Sequence, residues 1–225
     1  MPIMARRCAL ALAGALALWA GAGHADDLPA ALGRISQNET VLAGTAICTG
    51  ALVAPDLVLT AAHCVRGATA DPDRIRFEAD WRTGQPAEQH RGAEVFVIRQ
   101  QKGAGLAAFA DDVALIRLNS PSVLPPLALM AGGRTLEQGA VLQMFAFRRD
   151  ASDRVFGPLA CRLAVELPGF LGLGCPVVSG NSGAPVLVRV GQGWQISAVV
   201  VAAGKGQVQA WALPVPDWVR QRLSP

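Results

Sequence analysis

The sequence predicts an all-β protein, and three observations carry that prediction. Short apolar runs recur along the chain between turn residues. Residues 119–126 hold three prolines and no periodic pattern, and they divide the chain near its middle. Only the end of the chain reads as a helix. Regular short strands with Gly/Pro punctuation are the pattern of β-barrels or sandwiches.

The elements follow in order. Residues 1–25 read as a secretory signal: Arg6-Arg7 supply positive charge, and an apolar run from Cys8 to Ala20 follows. That run is too short for a comfortable membrane span. Gly23-His24-Ala25 offers small residues for cleavage, so the mature chain is expected to start at Asp26. An uncleaved anchor is the alternative. Residues 26–35 form an N-terminal extension or short propeptide. Strands are expected over 49–53, 58–60, 75–77, 95–98, 113–118, 141–147, 186–190 and 196–202, each an apolar run. Gly103-Ala104-Gly105 marks a flexible stretch. Residues 120–126 are read as a linker between two barrels, over residues 36–119 and 127–225. The helix is expected over 214–223, because Val215, Trp218, Val219 and Arg222/Leu223 recur at helical spacing. Trp194, Trp211 and Trp218 read as packing residues, while Trp81 is left open.

Composition narrows the function classes. The 225 residues are 52% hydrophobic with a formal charge of +3. Losing residues 1–25 removes two arginines and no acid, leaving 18 basic against 17 acidic residues. Such a near-neutral chain, with lysine only at 102 and 205, carries no nucleic-acid patch and no polybasic membrane anchor. The same loss leaves four cysteines, an even number that suggests disulfides in an exported chain. A zinc site is a poor rival, because no Cys-x-x-Cys spacing occurs.

Three fragments carry chemistry. Thr60-Ala61-Ala62-His63-Cys64 comes first, Asp112-Val113-Ala114-Leu115 second, and Gly180-Asn181-Ser182-Gly183-Ala184-Pro185 third. A serine hydroxyl needs an adjacent base to become a nucleophile at neutral pH, and the base needs a partner to orient it. Histidine is scarce: with His24 in the signal, only His63 and His90 remain, and His90 sits in the polar run Glu88-Gln89-His90-Arg91, expected to face solvent. Gly-x-Ser-x-Gly also marks the nucleophile elbow of α/β-hydrolases, but an elbow needs a helix where residues 185–188 read as a strand.

Together, from about residue 36 to 222, these fragments resemble the trypsin-like (chymotrypsin-fold) serine proteases. The order His, Asp, Ser is that family's order. The resemblance implies two six-stranded antiparallel β-barrels with a C-terminal helix and the active site in the cleft between them. It implies catalytic roles for His63, Asp112 and Ser182, with Asp112 preferred over Asp111 because it directly precedes the apolar strand. The oxyanion donors would be the N–H groups of Gly180 and Ser182. Disulfides Cys48–Cys64 and Cys161–Cys175 are implied. The substrate pocket would take Pro176 at its base, Val177 beside it, Val201, Ala202 and Ala203 on one wall and Ala210 opposite. With no carboxylate among them, a small or medium apolar substrate side chain is expected. The substrate would be a polypeptide, with no metal or organic cofactor.

The sequence departs from the digestive enzymes at Asn181, where they carry the aspartate that pairs with a newly freed N-terminal amine. Arg34-Ile35 has the look of an activation site, but Ser36-Gln37 follows it. Activation through that ion pair is therefore not expected. Gly-Asn-Ser-Gly is instead similar to bacterial glutamyl endopeptidases and heat-shock serine proteases. A catalytically silent binding module, or a latent protease needing activation, remains the alternative to an active peptidase.

Overall fold

The computed structural model describes residues 28–37, 45, 47–98 and 103–223. The expected signal and its cleavage site lie outside the described residues. None of the described helices is long and apolar enough to cross a membrane.

The first half is a closed antiparallel barrel. Its strands are β1 (Leu32–Ser36), β2 (Ile47–Ala54), β3 (Leu57–Thr60), β4 (Arg76–Trp81), β5 (Pro86–Val97) and β6 (Ala114–Leu118), in the order β1-β2-β3-β6-β5-β4 with β4 paired back to β1. Large side chains fill the barrel where glycine makes room. A Cβ on Gly33 would stand 2.3 Å from the Phe77 ring, which is fully buried. The barrel takes in residues 32–35, which the sequence reading had placed in an extension. The Arg34–Ile35 bond lies inside β1, paired with β2 on one side and β4 on the other. Cleavage there would cut a barrel strand, which argues against it as an activation site.

The second half contains β7 (Ala128–Leu129), β8 (Val141–Arg148), β9 (Ala151–Leu167), β10 (Phe170–Leu173), β11 (Pro185–Val190), β12 (Gly193–Lys205) and β13 (Val208–Pro214). Pairing runs β11-β8-β9-β10-β13-β12, and β11 also pairs with β12, so these six strands form a ring. Two-residue β7 joins its edge in parallel with β12. The helix α1 (Asp217–Leu223) starts later than expected. Pro214 closes β13, and Pro216 disfavours a helical conformation at Val215. Val219 nevertheless packs inward, fully buried, as its spacing predicts.

The segment between the barrels crosses the back of the first. Ser122 N–H donates to Pro55 O at 2.8 Å and Leu127 N–H to Leu52 O at 2.9 Å. Contrary to the expectation from sequence, His90 does not face solvent. The residue lies on β5 opposite Phe77, and its side chain is only 8% exposed. Glu88 holds one ring nitrogen at 2.8 Å and Ser120 the other at 3.1 Å. Trp81 is settled as a packing residue: its N–H donates to Glu78 O, and Phe147 of the second half meets its ring edge-on at 5.6 Å.

Candidate active site

His63 is delivered by a single 3-10 turn, Ala62–Cys64, directly after β3. Ala61 and Ala62 are buried, and their small side chains let the turn pack tightly. The Cys48–Cys64 disulfide ties this turn to β2, with Cα atoms 6.0 Å apart. Strand β3 pairs with β6 in a register that sets Thr60 opposite Ala114. The chain leaving β3 therefore meets the chain entering β6, which brings His63 to Asp112.

The contact is a clamp. Asp112 Oδ1 accepts the His63 backbone N–H at 2.8 Å, and Oδ2 meets the ring Nδ1 at 2.5 Å. The Asp112 carbonyl accepts Ala62 N–H at 3.2 Å. Asp112 is 1% exposed, so its carboxylate is satisfied by the protein and not by water. An ionised carboxylate only accepts, so the neutral ring carries its proton on Nδ1 and leaves Nε2 as an acceptor. Asp111 points elsewhere, lining a separate cavity with Val215 and Trp218.

Ser182 lies in the turn between β10 and β11. It shares a cleft of about 400 Å³ with His63 and Gly180. Gly180 has φ +104, a conformation that favours glycine, and a Cβ there would stand 2.8 Å from Phe147 O and from Arg149 N. The carbonyl before it, on Ser179, accepts Arg149 N–H at 2.8 Å. In a planar trans peptide C=O and N–H point opposite ways, so this bond turns the Gly180 N–H away from Arg149. Among the described residues, neither Gly180 N–H nor Ser182 N–H donates to a protein acceptor. Two N–H donors without protein acceptors among the described residues, beside a serine hydroxyl, can receive an anionic oxygen.

Asn181 is buried and uses both ends of its amide. Its Oδ1 accepts Val178 N–H at 2.8 Å, and its Nδ2 donates to Phe147 O at 2.8 Å. The turn is thereby fixed by neutral hydrogen bonds. The Cys161–Cys175 disulfide stands just upstream, with Cα atoms 4.8 Å apart.

Beside Ser182 lies a second cavity of about 350 Å³. Val177, Val201, Ala202 and Ala203 line it, together with Phe109, Val178, Ser179 and Val200. Two expected pocket residues are elsewhere. Pro176 lines a different cavity behind the turn, with Phe156 and Pro158. Ala210 pairs with Ala203 across the strands but is fully buried in the core of the second barrel. Phe109 escaped the sequence reading. Its only sequence signal is its place three residues before Asp112, at the end of the 3-10 turn Gly105–Phe109, which begins at the last residue of the glycine stretch. Nitrogen and sulphur atoms of His63, Cys48 and Cys64 lie within 4.8 Å of one another, but the two sulphurs are bonded together and offer no thiolate.

Known proteins resemble this chain in sequence or fold to different degrees. The family model described as Trypsin matches residues 31–155. Trypsin epsilon of Drosophila erecta is 30% identical over 78 residues, a stretch covering 34% of this chain and 28% of that protein. The alignment thus spans less than a third of that relative. Among solved structures, the scabies mite inactivated protease paralogue S-D1 has the same fold. It covers 86% of this chain and 90% of its own, with a TM-score of 0.65 and 15% identity. A family match over more than half of the chain, set on this fold, makes the protein a member of the trypsin family.

Proposed function

We propose that the chain is an exported serine endopeptidase that hydrolyses peptide bonds through an acyl-enzyme. Ser182 Oγ attacks the scissile carbonyl while His63 Nε2 takes its proton. The N–H groups of Gly180 and Ser182 stabilise the resulting oxyanion. His63 passes the proton to the leaving amine, then activates the water that releases the acyl group from Ser182. Asp112 holds the ring throughout and stabilises it when charged. The observation that carries this reading is the two-point grip of buried Asp112 on His63, with Ser182 in the same cleft. No metal or organic cofactor enters any step.

The apolar cavity beside Ser182 supports a preference for small or medium apolar side chains before the scissile bond. None of its lining residues is a carboxylate, so a buried substrate cation would go unpaired. Disulfides and the signal-like N-terminus favour the periplasm or the cell exterior. The Gly-Asn-Ser-Gly frame groups the chain with bacterial secreted members of the family.

The test is fluorophosphonate labelling of the protein starting at Asp26, beside Ser182→Ala. Labelling of the wild type alone is expected. A folded, disulfide-bonded wild type that does not label would favour the silent or latent alternative. A peptide-library profile then reads specificity, and cleavage dominated by Arg, Lys or Glu would refute the apolar preference.

A further inference from the structure

Resting on the serine-peptidase reading, we propose that Thr49 is a positioning residue for the oxyanion turn, setting it from the opposite barrel. Thr49 lies on β2 of the first barrel and is fully buried. Its N–H donates to the carbonyl of Ser182 at 2.8 Å. Its hydroxyl donates to Gly180 O at 2.8 Å and accepts Phe147 N–H at 2.9 Å. Its own carbonyl accepts the Thr60 hydroxyl at 2.8 Å. The direction of each hydroxyl bond is forced, since a carbonyl only accepts and an N–H only donates.

The geometry explains why this matters to chemistry and not only to folding. Gly180 O belongs to the peptide that lies between the two proposed oxyanion donors. The other end of that peptide, Asn181 N–H, donates to Val178 O at 3.0 Å. Thr49 at one end and Val178 at the other therefore fix the middle peptide. The Gly180 N–H and the Ser182 N–H sit on the peptides either side, whose carbonyls accept Arg149 N–H at 2.8 Å and Ala184 N–H at 3.0 Å, so Thr49 holds the middle one of three anchored peptides. Phe147 N–H brings β8 into the same contact, and Phe147 O holds Asn181.

Sequence neighbours complete the argument. Cys48, one residue earlier on β2, is bonded to Cys64, which follows His63. Two consecutive residues of one strand thus anchor the turn of the base and the turn of the nucleophile. Their spacing is set by a single peptide bond. Glycine or alanine at position 49 would keep the backbone bond to Ser182 O but lose both hydroxyl bonds.

The test compares Thr49→Val, Thr49→Ala and Thr49→Ser with wild type, reading kcat, KM and melting temperature on an apolar peptide substrate. Thr49→Val preserves shape and removes both hydroxyl bonds. We expect kcat to fall roughly 30- to 100-fold with KM within about twofold, somewhat short of the loss of a direct oxyanion donor. Thr49→Ser should recover kcat to within about fivefold of wild type. Should Thr49→Val fail to fold, Thr49→Ala carries the same expectation, because it is smaller and clashes with nothing. Full kcat in the folded Val or Ala variant would overturn the inference. So would a loss that Ser does not rescue, or one that tracks melting temperature across the series. Absence of turnover in the wild type would instead overturn the peptidase reading, and this inference with it.

Discussion

Asn181 separates this chain from relatives whose active-site turn depends on an ion pair. Its amide needs a donor on one side and an acceptor on the other, and the fold supplies Val178 N–H and Phe147 O. Asn181→Asp would keep the first bond and set a carboxylate oxygen against the Phe147 carbonyl, in a site only 5% exposed. Burial and repulsion both disfavour the charged form, so the carboxyl's folded pKa would be raised above its unfolded value. A raised acid binds more protons folded than unfolded, so the variant weakens as pH rises from the unfolded value toward the folded one. Ionised, it should cost about 2 kcal/mol of stability. Thermal unfolding at pH 5 and pH 8 should show the gap from wild type widening at the higher pH, with the ratio of variant to wild-type kcat falling in parallel. A pH-independent gap would mean that the side chain turns out to solvent.

Among the elements, β5 and the crossing between barrels are joined by one carboxylate. Glu88 accepts Val123 N–H at 3.2 Å and pairs with His90 at 2.8 Å. Burial works to raise its pKa, but hydrogen bonds from Ser122, His90 and Val123, with the charge of His90, outweigh it and hold it below the usual 4.5. A depressed acid contributes stability that is complete above its unfolded value and is lost as pH falls through the lower folded value. Glu88→Gln should therefore flatten the fall of melting temperature between about pH 5 and 3. An unchanged acid limb would place that dependence on other carboxylates. The same strand shows what the sequence reveals and hides. The end of β5 was legible as an apolar run at 95–98, but near its start Glu88-Gln89-His90-Arg91 reads as a polar, loop-like run. Its side chains alternate between half-covered and exposed, so hydrophobicity marks little of it. Strand β9 was missed for a related reason: charged residues and Gly157-Pro158 interrupt it, and the pair sits where the register with β8 shifts, a place that tolerates proline. His63, Asp112 and Ser182 could be singled out in the sequence because the chemistry proposed for them demands particular residues in local frames. Thr49 and Phe109 could not, since Thr49 meets its partners across the barrels and Phe109 reaches the cavity from a 3-10 turn, and no local pattern records either contact.

The two barrels share a core. One hydrophobic cluster holds Leu52, Leu59 and Leu115 from the first and Leu187, Val199 and Val215 from the second, with Val219 of α1. Beside it sits a charged tie. Arg34 on β1 gives two nitrogens to Glu78 Oε2, at 2.6 and 2.8 Å, and a third to Ser152 O on β9 at 2.6 Å, with its guanidinium 4.4 Å above the Trp81 ring. Both side chains are about nine-tenths buried. A buried pair adds little net stability over apolar residues of equal size, but removing one partner strands the other charge. Glu78→Ala should therefore cost about 3–5 kcal/mol, while Arg34→Met with Glu78→Leu should cost clearly less than the single change. Because Arg34 also holds Ser152, the loss should be felt in both barrels. Urea unfolding followed by tryptophan fluorescence and by far-ultraviolet circular dichroism should give coincident single transitions for the wild type. In Glu78→Ala both should move to lower urea together. Separated transitions in the variant would show that this contact, more than the shared apolar core, makes the barrels unfold together.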